Sequence, residues 1–279
     1  MTAYIRLLRP KHCIKNILVV LPLVFSGRLL ERPLLGQTAA AFVAFCMVAS
    51  LVYIINDIRD AERDRQHPTK CRRPIASGAV SPSHAAVEAG VLALLLGVMG
   101  VWIGFSWESW LCLLAYLVLN LGYSLGLKNV PILDIAILVS GFLLRVLFGS
   151  AVTGIATSGW LYLTVTSVAF YMGLSKRRGE LRTSSSSTRR VLRYYNDAFL
   201  SQNMQMCLTL AVVFYSLWSV DRGGHLMWTV PLVMCICLRY SMVVEGNSDG
   251  DPVEVVFQDK VLFVLACVFG VITLALLYL

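Results

Sequence analysis

The chain is 279 residues long, with 57% hydrophobic residues, only 14% charged residues and a mean hydropathy of +0.72. Soluble domains average about 45–50% apolar and about 25% charged residues, so this composition excludes an ordinary soluble domain. The formal net charge of +8 would suit nucleic acid, but in a membrane protein the placement of Lys and Arg matters more, and no nucleic-acid partner is expected.

Long apolar runs follow one another to the end of the chain, each close to the ~20 residues that carry a helix across the hydrocarbon core of a bilayer. Only helices satisfy their own backbone polar groups there, so we predict an all-α, polytopic membrane fold. The first run, from Ile17, lacks an A-x-A cleavage site and is assigned as the first span rather than a signal peptide. The nine predicted spans are 12–30, 37–55, 85–105, 108–125, 131–153, 158–175, 198–219, 226–244 and 260–278.

The basic residues predict the orientation of these spans. They concentrate in the N-terminal stretch and after the even-numbered spans, whereas the opposite side receives only Arg28, Arg32 and Arg222. The positive-inside rule therefore places the N-terminus in the cytosol and the C-terminus outside. The predicted cytosolic loops are 56–84, 125–131, 176–197, which holds a polar run at Ser184 to Ser187 without assignable function, and the acidic loop 245–259.

The eight cysteines lie mostly inside apolar runs and form neither a CxxC pair nor a Cys/His cluster. They are predicted to be small apolar side chains in a reduced compartment rather than metal or redox ligands. The four histidines are scattered and suggest no catalytic triad.

An acidic cluster begins directly where the second span ends. On a helix, Asp57, Asp60 and Asp64 are spaced i, i+3, i+7 and share one face. Three carboxylates on one face repel one another unless a cation lies among them, and Mg²⁺ is usually held by one or two carboxylates plus substrate phosphates. The alternative is a solvated helix end at which Arg59, Arg63 and Arg65 pair with the acids. The position of the cluster, at the depth of a lipid headgroup, favours the magnesium site.

A basic segment, residues 67–78, follows the acidic cluster and contains Lys70, Arg72 and Arg73. This juxtaposition suits a diphosphate, since a metal bridges some of its oxygens while Lys and Arg bind the others.

Three motifs of the chain resemble those of the UbiA superfamily of intramembrane prenyltransferases. They are Asn56-Asp57-x-x-Asp60-x-x-x-Asp64, Arg73-Pro74-Ile75-Ala76-Ser77-Gly78 and Tyr123-Ser124-x-x-Leu127-Lys128. The resemblance extends along essentially the whole chain, including Arg9-Pro10 and Lys15-Asn16 near its start. It implies a single transmembrane domain over residues 1–279, nine helices around a central cavity, a cytosolic cap and Mg²⁺-assisted departure of diphosphate.

The chain departs from the superfamily pattern after the sixth span. Ordinary members carry a second Asp-rich motif there, whereas this chain has Lys176-Arg177-Arg178-Gly179-Glu180-Leu181. In this respect it resembles the phosphoribosyltransferase branch of the superfamily. In that branch diphosphate leaves from 5-phosphoribosyl diphosphate, and a polyprenyl phosphate such as decaprenyl phosphate is the acceptor. The resemblance implies synthesis of an arabinose donor for a cell-envelope glycan such as arabinogalactan, in a bacterial inner membrane.

The resemblance also implies roles for individual residues. The magnesium ligands would be Asp57, Asp60 and Asp64, with Asn56 positioning a ligand or a metal-bound water. A phosphate of the sugar donor would be bound by the basic segment that follows the sixth span, namely Lys176, Arg177 and Arg178, with Glu180 beside them. Candidates for the lipid phosphate are Lys15, Lys128 and Arg73, and the remaining candidate substrate-binding residues are Lys70 and Tyr123.

Two ionisable residues fall inside the fifth predicted span, where a charge is costly and a functional role is the default hypothesis. Asp134 lies near the cytosolic end and is predicted to contact the ribose or Lys128. Arg145 lies deeper, and its role stays open between function and hydrogen bonding to neighbouring carbonyls.

Two other functions remain as alternatives. One is ordinary prenyl transfer from a polyprenyl diphosphate to an aromatic or other small acceptor, against which the basic 176–178 segment argues. The other is a transporter for a lipid or anion, against which the lack of an evident inverted repeat argues. A homo-oligomer is compatible with the sequence.

Overall fold

A computed structural model describes residues 3–183, 190–223, 225–246, 255–256 and 259–279 of the chain. Within those ranges every assigned regular element is helical, which confirms the predicted all-α class. The α-helices are α1 (Ala3–Leu7), α2 (Leu21–Val24), α3 (Arg32–Arg59), α4 (Ala61–Arg65), α5 (Pro82–Ile103), α6 (Trp107–Leu125), α7 (Leu133–Thr153), α8 (Gly159–Thr183), α9 (Asp197–Asp221), α10 (Val230–Glu245) and α11 (Lys260–Tyr278). Five 3-10 helices accompany them: Pro10–Val20, Lys70–Arg72, Leu127–Asn129, Arg190–Tyr194 and Leu226–Thr229.

Seven helical segments in this part of the chain are long and apolar enough to cross a membrane: α3, α5, α6, α7, α9, Leu226–Glu245 and α11. They coincide with seven of the nine predicted spans. The other two predicted spans take different forms. Residues 12–30 include most of the 3-10 helix Pro10–Val20, followed by the single turn α2, and residues 158–175 form the apolar part of α8, which continues into the basic segment. The polar run Ser184 to Ser187 and most of the acidic loop 245–259 lie outside the described residues.

Local sequence signals explain where the helices begin and end. The Ser81 hydroxyl accepts the N–H of His84 at 3.2 Å, and Pro82 occupies the first turn of α5. The same helix ends at Gly104, whose φ of +77° is the left-handed conformation that glycine adopts without strain. Likewise, Asp259 caps α11 by accepting the N–H of Leu262 at 2.7 Å.

The contacts divide the chain into two compact units. The first comprises Met1–Leu125 and Leu144–Ala156, and the second comprises Gly126–Leu143 and Thr157–Leu279. The first unit has an apolar core that includes Phe45, Tyr116 and Phe148. The second unit has its own core, which includes Tyr171 and Tyr240. The two cores draw on different helices, apart from α7, which contributes residues to both units.

A glycine in α7 permits a close backbone contact within the first unit. A Cβ added to Gly149 would lie 2.0 Å from the carbonyl oxygen of Val19 and 2.9 Å from its carbonyl carbon. Since both atoms belong to the backbone of the 3-10 helix Pro10–Val20, no side-chain rotation can relieve this clash. Gly149 therefore sets how closely the N-terminal 3-10 helix packs against α7.

We predict that Gly149→Ala lowers the thermal unfolding temperature of the detergent-purified protein, because overpacking of this kind costs about 1–3 kcal/mol. The control is Gly90→Ala in α5, where an added Cβ meets nothing within 4 Å and helix propensity favours Ala by ~1 kcal/mol. The control is expected to unfold at the wild-type temperature or above it. Equal unfolding temperatures for the wild type and Gly149→Ala would contradict the close contact.

Candidate active site

Two buried carboxylates lie at the end of α3 and in α4. Asp57 is 2% exposed and Asp64 is 4% exposed. The helix is interrupted between them at Asp60, where φ is −91° and ψ is 5°, but the N–H of Asp64 still donates to the carbonyl of Asp60 at 2.8 Å. The chain therefore resumes its helical path and brings Asp57 and Asp64 to the same side.

One arginine joins these two carboxylates. Arg73 Nη1 donates to Asp57 Oδ1 at 3.1 Å and to Asp64 Oδ2 at 2.6 Å. The neighbouring backbone is held by Ile75, which is fully buried, and by the N–H of Val80, which donates to the Pro74 carbonyl. The Arg73-Pro74-Ile75 motif thus positions a guanidinium between two acids of the Asp-rich motif.

A second arginine, which the sequence analysis did not select as a site residue, reaches the same carboxylate. Arg9 Nη2 lies 2.5 Å from Asp57 Oδ1, and its guanidinium carbon lies 4.7 Å from the ring centroid of Tyr53. Its backbone has φ 52° and ψ 58°, directly before Pro10. This left-handed conformation is costly for a non-glycine residue, and such strain is concentrated at functional sites. The available sequence signal was the Arg9-Pro10 pair itself.

Two buried oxygens at this site have no hydrogen-bond partner, Asp57 Oδ2 and Asn56 Oδ1. They belong to consecutive residues in the last turn of α3, and both are hard oxygen donors of the kind that Mg²⁺ prefers. This donor set fits a magnesium ion. A ready-made group of three or more His, Cys, Asp or Glu side chains is not found among the residues that the structure describes, so substrate oxygens or water would complete the coordination.

Asp60, the third predicted ligand, faces a different partner from the other two acids. Its side chain is 35% exposed, and Oδ1 lies 3.4 Å from Arg59 Nη2. The same Arg59 nitrogen donates to the carbonyl of Ser124 at 2.6 Å. That bond ties the Asp-rich segment to the Tyr123-Ser124 motif at the end of α6.

We predict that Arg9→Met weakens divalent-metal binding, because Asp57 loses one of the two guanidiniums that fix the rotation of its carboxylate. The measurement is a titration of the purified protein with Mn²⁺, followed by electron paramagnetic resonance. The control is Arg6→Met, since Arg6 lies in the neighbouring α1 and is exposed. Identical Mn²⁺ affinities for Arg9→Met and Arg6→Met would contradict this role.

A second buried ionic network lies in the second unit, centred on Asp134. Its Oδ2 lies 2.5 Å from Arg177 Nε, and its Oδ1 accepts the hydroxyl hydrogen bond of Tyr195 at 2.6 Å. Asp134 and Arg177 are both fully buried. Each charge is therefore compensated by an opposite charge and a hydrogen bond, as a buried pair requires. The sequence analysis placed Asp134 near the ribose or Lys128 and did not select Tyr195.

Tyr195 also supports a strained residue at the start of α7. Its hydroxyl oxygen accepts the N–H of Ile132 at 2.6 Å, and Ile132 has a φ of +67°. This conformation is unfavourable for a β-branched residue. Ile132 follows the 3-10 helix Leu127–Asn129, which carries Lys128. The contact with Tyr195 therefore fixes the backbone just after that helix.

The basic residues of α8 already have acidic neighbours. Arg177 Nη1 donates to Glu180 at 2.8 Å in addition to its contact with Asp134. Arg178 Nη1 contacts Glu245 and, at 3.0 Å, the hydroxyl of Ser201. Arg178 is 2% exposed, and its Nη2 is buried without a hydrogen-bond partner. Of the two guanidinium groups, the one on Arg178 therefore has a donor available for a ligand.

The other predicted substrate-binding residues are distributed over both units. Lys15, Lys70 and Tyr123 belong to the first unit, and Lys128 and Lys176 belong to the second. Lys70 is exposed, whereas the other four residues are half-buried.

We predict that Tyr195→Phe lowers the free energy of unfolding by about 1–3 kcal/mol, because the Asp134 oxygen loses a buried hydrogen bond. Burial, followed by the Asp134 carboxylate, raises the pKa of Tyr195 from 10.0 to about 12. A raised pKa means that the folded state holds the proton more tightly, so this stabilisation is complete below pH 10 and is lost between pH 10 and 12. Unfolding of both proteins across that range provides the test, and an identical alkaline loss of stability in Tyr195→Phe would contradict it.

Comparison with known proteins agrees with the motifs. The sequence profile of the UbiA prenyltransferase family matches residues 19–264. The chain is 36% identical over 276 residues to the decaprenyl-phosphate phosphoribosyltransferase of Corynebacterium glutamicum, covering 94% of this chain and 82% of that protein. It is 33% identical over 274 residues to the protein of the same name from Mycobacterium tuberculosis H37Rv, covering 94% and 90% respectively.

The fold is also similar to that of solved structures. The UbiA homolog from Archaeoglobus fulgidus bound to GPP and Mg²⁺ matches with a TM-score of 0.72 at 14% identity, over 99% of both chains. With its apolar helices and this likeness, the protein is an integral membrane protein of the all-helical, intramembrane-transferase fold. The chain belongs to the UbiA prenyltransferase family.

Proposed function

We propose that this protein transfers the 5-phosphoribosyl group from 5-phosphoribosyl diphosphate to a polyprenyl phosphate, with decaprenyl phosphate as the first candidate, and releases diphosphate. The observation that carries the proposal is the 33–36% identity, over 94% of the chain, to proteins named decaprenyl-phosphate phosphoribosyltransferase. The product would serve as a precursor of an arabinose donor for a cell-envelope glycan.

The leaving diphosphate would bind at the Asp-rich segment of the first unit. Asn56 Oδ1 and Asp57 Oδ2 are the buried oxygens without partners, so they are the primary candidates for Mg²⁺ ligands, with Asp64 and Asp60 beside them. When bound, Mg²⁺ would neutralise the negative charge that develops on the diphosphate as the C1–O bond breaks.

Arg9 and Arg73 would assist the departure of diphosphate through direct contacts of their side chains with it. Both guanidiniums contact Asp57 Oδ1 in the structure. A guanidinium carries five N–H donors in a fixed fork, so each can keep its carboxylate contact and still donate to a diphosphate oxygen. The site would thereby attract the diphosphate and keep the aspartates in place.

The other substrate groups carry phosphates and require cations. For the 5-phosphate of the sugar we propose Lys176 and the buried Nη2 of Arg178, with Arg177 and Glu180 holding that segment. The candidates for the lipid phosphate are Lys15 and Arg73 in the first unit and Lys128 in the second, each considered separately, with Lys70 and Tyr123 as further candidate contacts. The lipid phosphate is already an anion at neutral pH, so its attack on C1 needs no strong general base.

We propose further that residues 1–279 form one transmembrane domain of nine spans in a bacterial inner membrane. The N-terminus and the loops around the Asp-rich segment would face the cytosol, and the C-terminus would lie outside. The excess of Lys and Arg on one side of the predicted spans supports this orientation.

The test of the reaction is diphosphate release by the detergent-purified protein. We expect release that requires Mg²⁺, 5-phosphoribosyl diphosphate and a polyprenyl monophosphate together, and that stops when any one is omitted. Asp57→Asn should lower turnover roughly 10–100-fold, the effect of losing one charged contact of about 1.5–3 kcal/mol. The control is Glu62→Gln, since Glu62 is an exposed acid of α4.

Three results would contradict this proposal in different ways. Near-full turnover by Asp57→Asn would remove the metal assignment. Turnover with a polyprenyl diphosphate and an aromatic acceptor, but not with 5-phosphoribosyl diphosphate, would assign ordinary prenyl transfer. Uptake of a phosphate solute into liposomes without diphosphate release would assign transport.

A further inference from the structure

Arg145 is a buried cation in the middle of α7, in the part of that helix that belongs to the first unit. It is 6% exposed. Its Nε donates to Asn16 Oδ1 at 2.8 Å, and its Nη2 donates to the hydroxyl of Tyr116 at 3.2 Å. The guanidinium carbon also lies 4.9 Å and 5.0 Å from the ring centroids of Phe45 and Tyr116. A charge at this depth is costly unless it is compensated, and here two aromatic rings and two hydrogen bonds compensate it.

The asparagine that Arg145 contacts belongs to the 3-10 helix Pro10–Val20. Asn16 is 1% exposed, and its Nδ2 donates to Cys46 Sγ of α3 at 3.1 Å. The side-chain amide is therefore held on both sides, by α7 through its oxygen and by α3 through its nitrogen. The backbone contact between Val19 and Gly149, described above, fixes the same helix one turn further on.

Eleven residues are an unusual length for a 3-10 helix, since runs beyond three or four residues are uncommon. Side chains at i and i+3 eclipse in this helix, so its faces repeat every three residues. Asn16 and Val19 occupy the buried face, Ile14 and Ile17 occupy an exposed apolar face, and Lys15 lies on the third face. A rotation of the helix about its axis would therefore change the direction of Lys15.

We propose that Arg145 is a positioning residue for the acceptor lipid. By fixing Asn16, it sets the rotation of the 3-10 helix and thereby directs Lys15 toward the phosphate of the polyprenyl phosphate. The inference rests on the proposed function, in which Lys15 is a contact of that phosphate. It adds a role for a residue that does not itself touch either substrate.

The experiment measures binding of farnesyl phosphate, a short polyprenyl monophosphate, to the purified full-length protein without a sugar donor. Isothermal titration calorimetry gives its affinity, and steady-state assays give KM for 5-phosphoribosyl diphosphate. Arg145→Met and Asn16→Leu should each weaken farnesyl phosphate binding at least about tenfold, as expected for one charge-assisted hydrogen bond. KM for 5-phosphoribosyl diphosphate should stay unchanged, and Arg145→Lys should recover part of the lipid affinity.

Two further variants separate positioning from general support of the fold. Tyr116→Phe removes a hydrogen bond of Arg145 but leaves the Asn16 contact, so it should bind farnesyl phosphate like the wild type. Lys15→Met should reproduce the lipid defect, and adding Arg145→Met to it should weaken binding no further, because residues that act through one contact are not additive.

Several outcomes would overturn the inference. These are wild-type lipid affinity in Arg145→Met, additive losses in the Lys15/Arg145 double variant, or an equal rise in KM for 5-phosphoribosyl diphosphate, which indicates general damage to the fold. In each of these cases the proposed reaction would still stand if the wild type binds farnesyl phosphate and releases diphosphate. A wild-type protein that neither binds farnesyl phosphate nor releases diphosphate would overturn the proposed function together with the inference.

Discussion

A charge removed from water needs an opposite charge or several dipoles around it, and this requirement governs the interior of the protein. The charge of Asp57 is compensated by Arg9 and Arg73. The charge of Asp134 is compensated by Arg177 and by the hydroxyl of Tyr195. Each pairing joins segments distant in the chain. The buried ions therefore help to determine which helices and loops come together.

The two ionic networks differ in what they leave available. In the first unit the arginines share one oxygen of Asp57, and the other oxygen is buried without a partner, as is Oδ1 of Asn56. In the second unit both oxygens of Asp134 have partners. The first arrangement leaves buried oxygens without partners, whereas the second satisfies both carboxylate oxygens and holds its neighbours in position. Asp57 in the acidic motif and the single buried Asp134 thus differ in whether a carboxylate oxygen is left without a partner.

The sequence predicted those features that depend on local composition and failed on those that depend on distant partners. Apolar runs located seven helices that are long and apolar enough to cross a membrane, because the length and hydropathy of a helix can be read directly from the sequence. Helical spacing placed Asp57 and Asp64 together, but it assumed an uninterrupted helix, and Asp60 instead contacts Arg59, as the alternative interpretation of this segment predicted. Arg145 was expected to be either functional or bonded to neighbouring carbonyls, and the structure bonds it to Asn16, 129 residues away. No local pattern in the sequence predicts a contact between residues so far apart in the chain. For the same reason, no local pattern predicts that Arg9 contacts Asp57 or that Tyr195 contacts Asp134.

The 3-10 form of Pro10–Val20 also sets how far the N-terminal segment reaches. A 3-10 helix rises about 2.0 Å per residue, whereas an α-helix rises about 1.5 Å. Eleven residues therefore extend about 22 Å instead of about 16 Å, a gain equal to roughly one α-helical turn. If the segment relaxed to an α-helix, Arg9 and Gly149 could not both keep their present contacts, since the distance between the two ends would shrink. The extended helix thus acts as a spacer whose length links the backbone contact at α7 to the arginine at the Asp-rich segment.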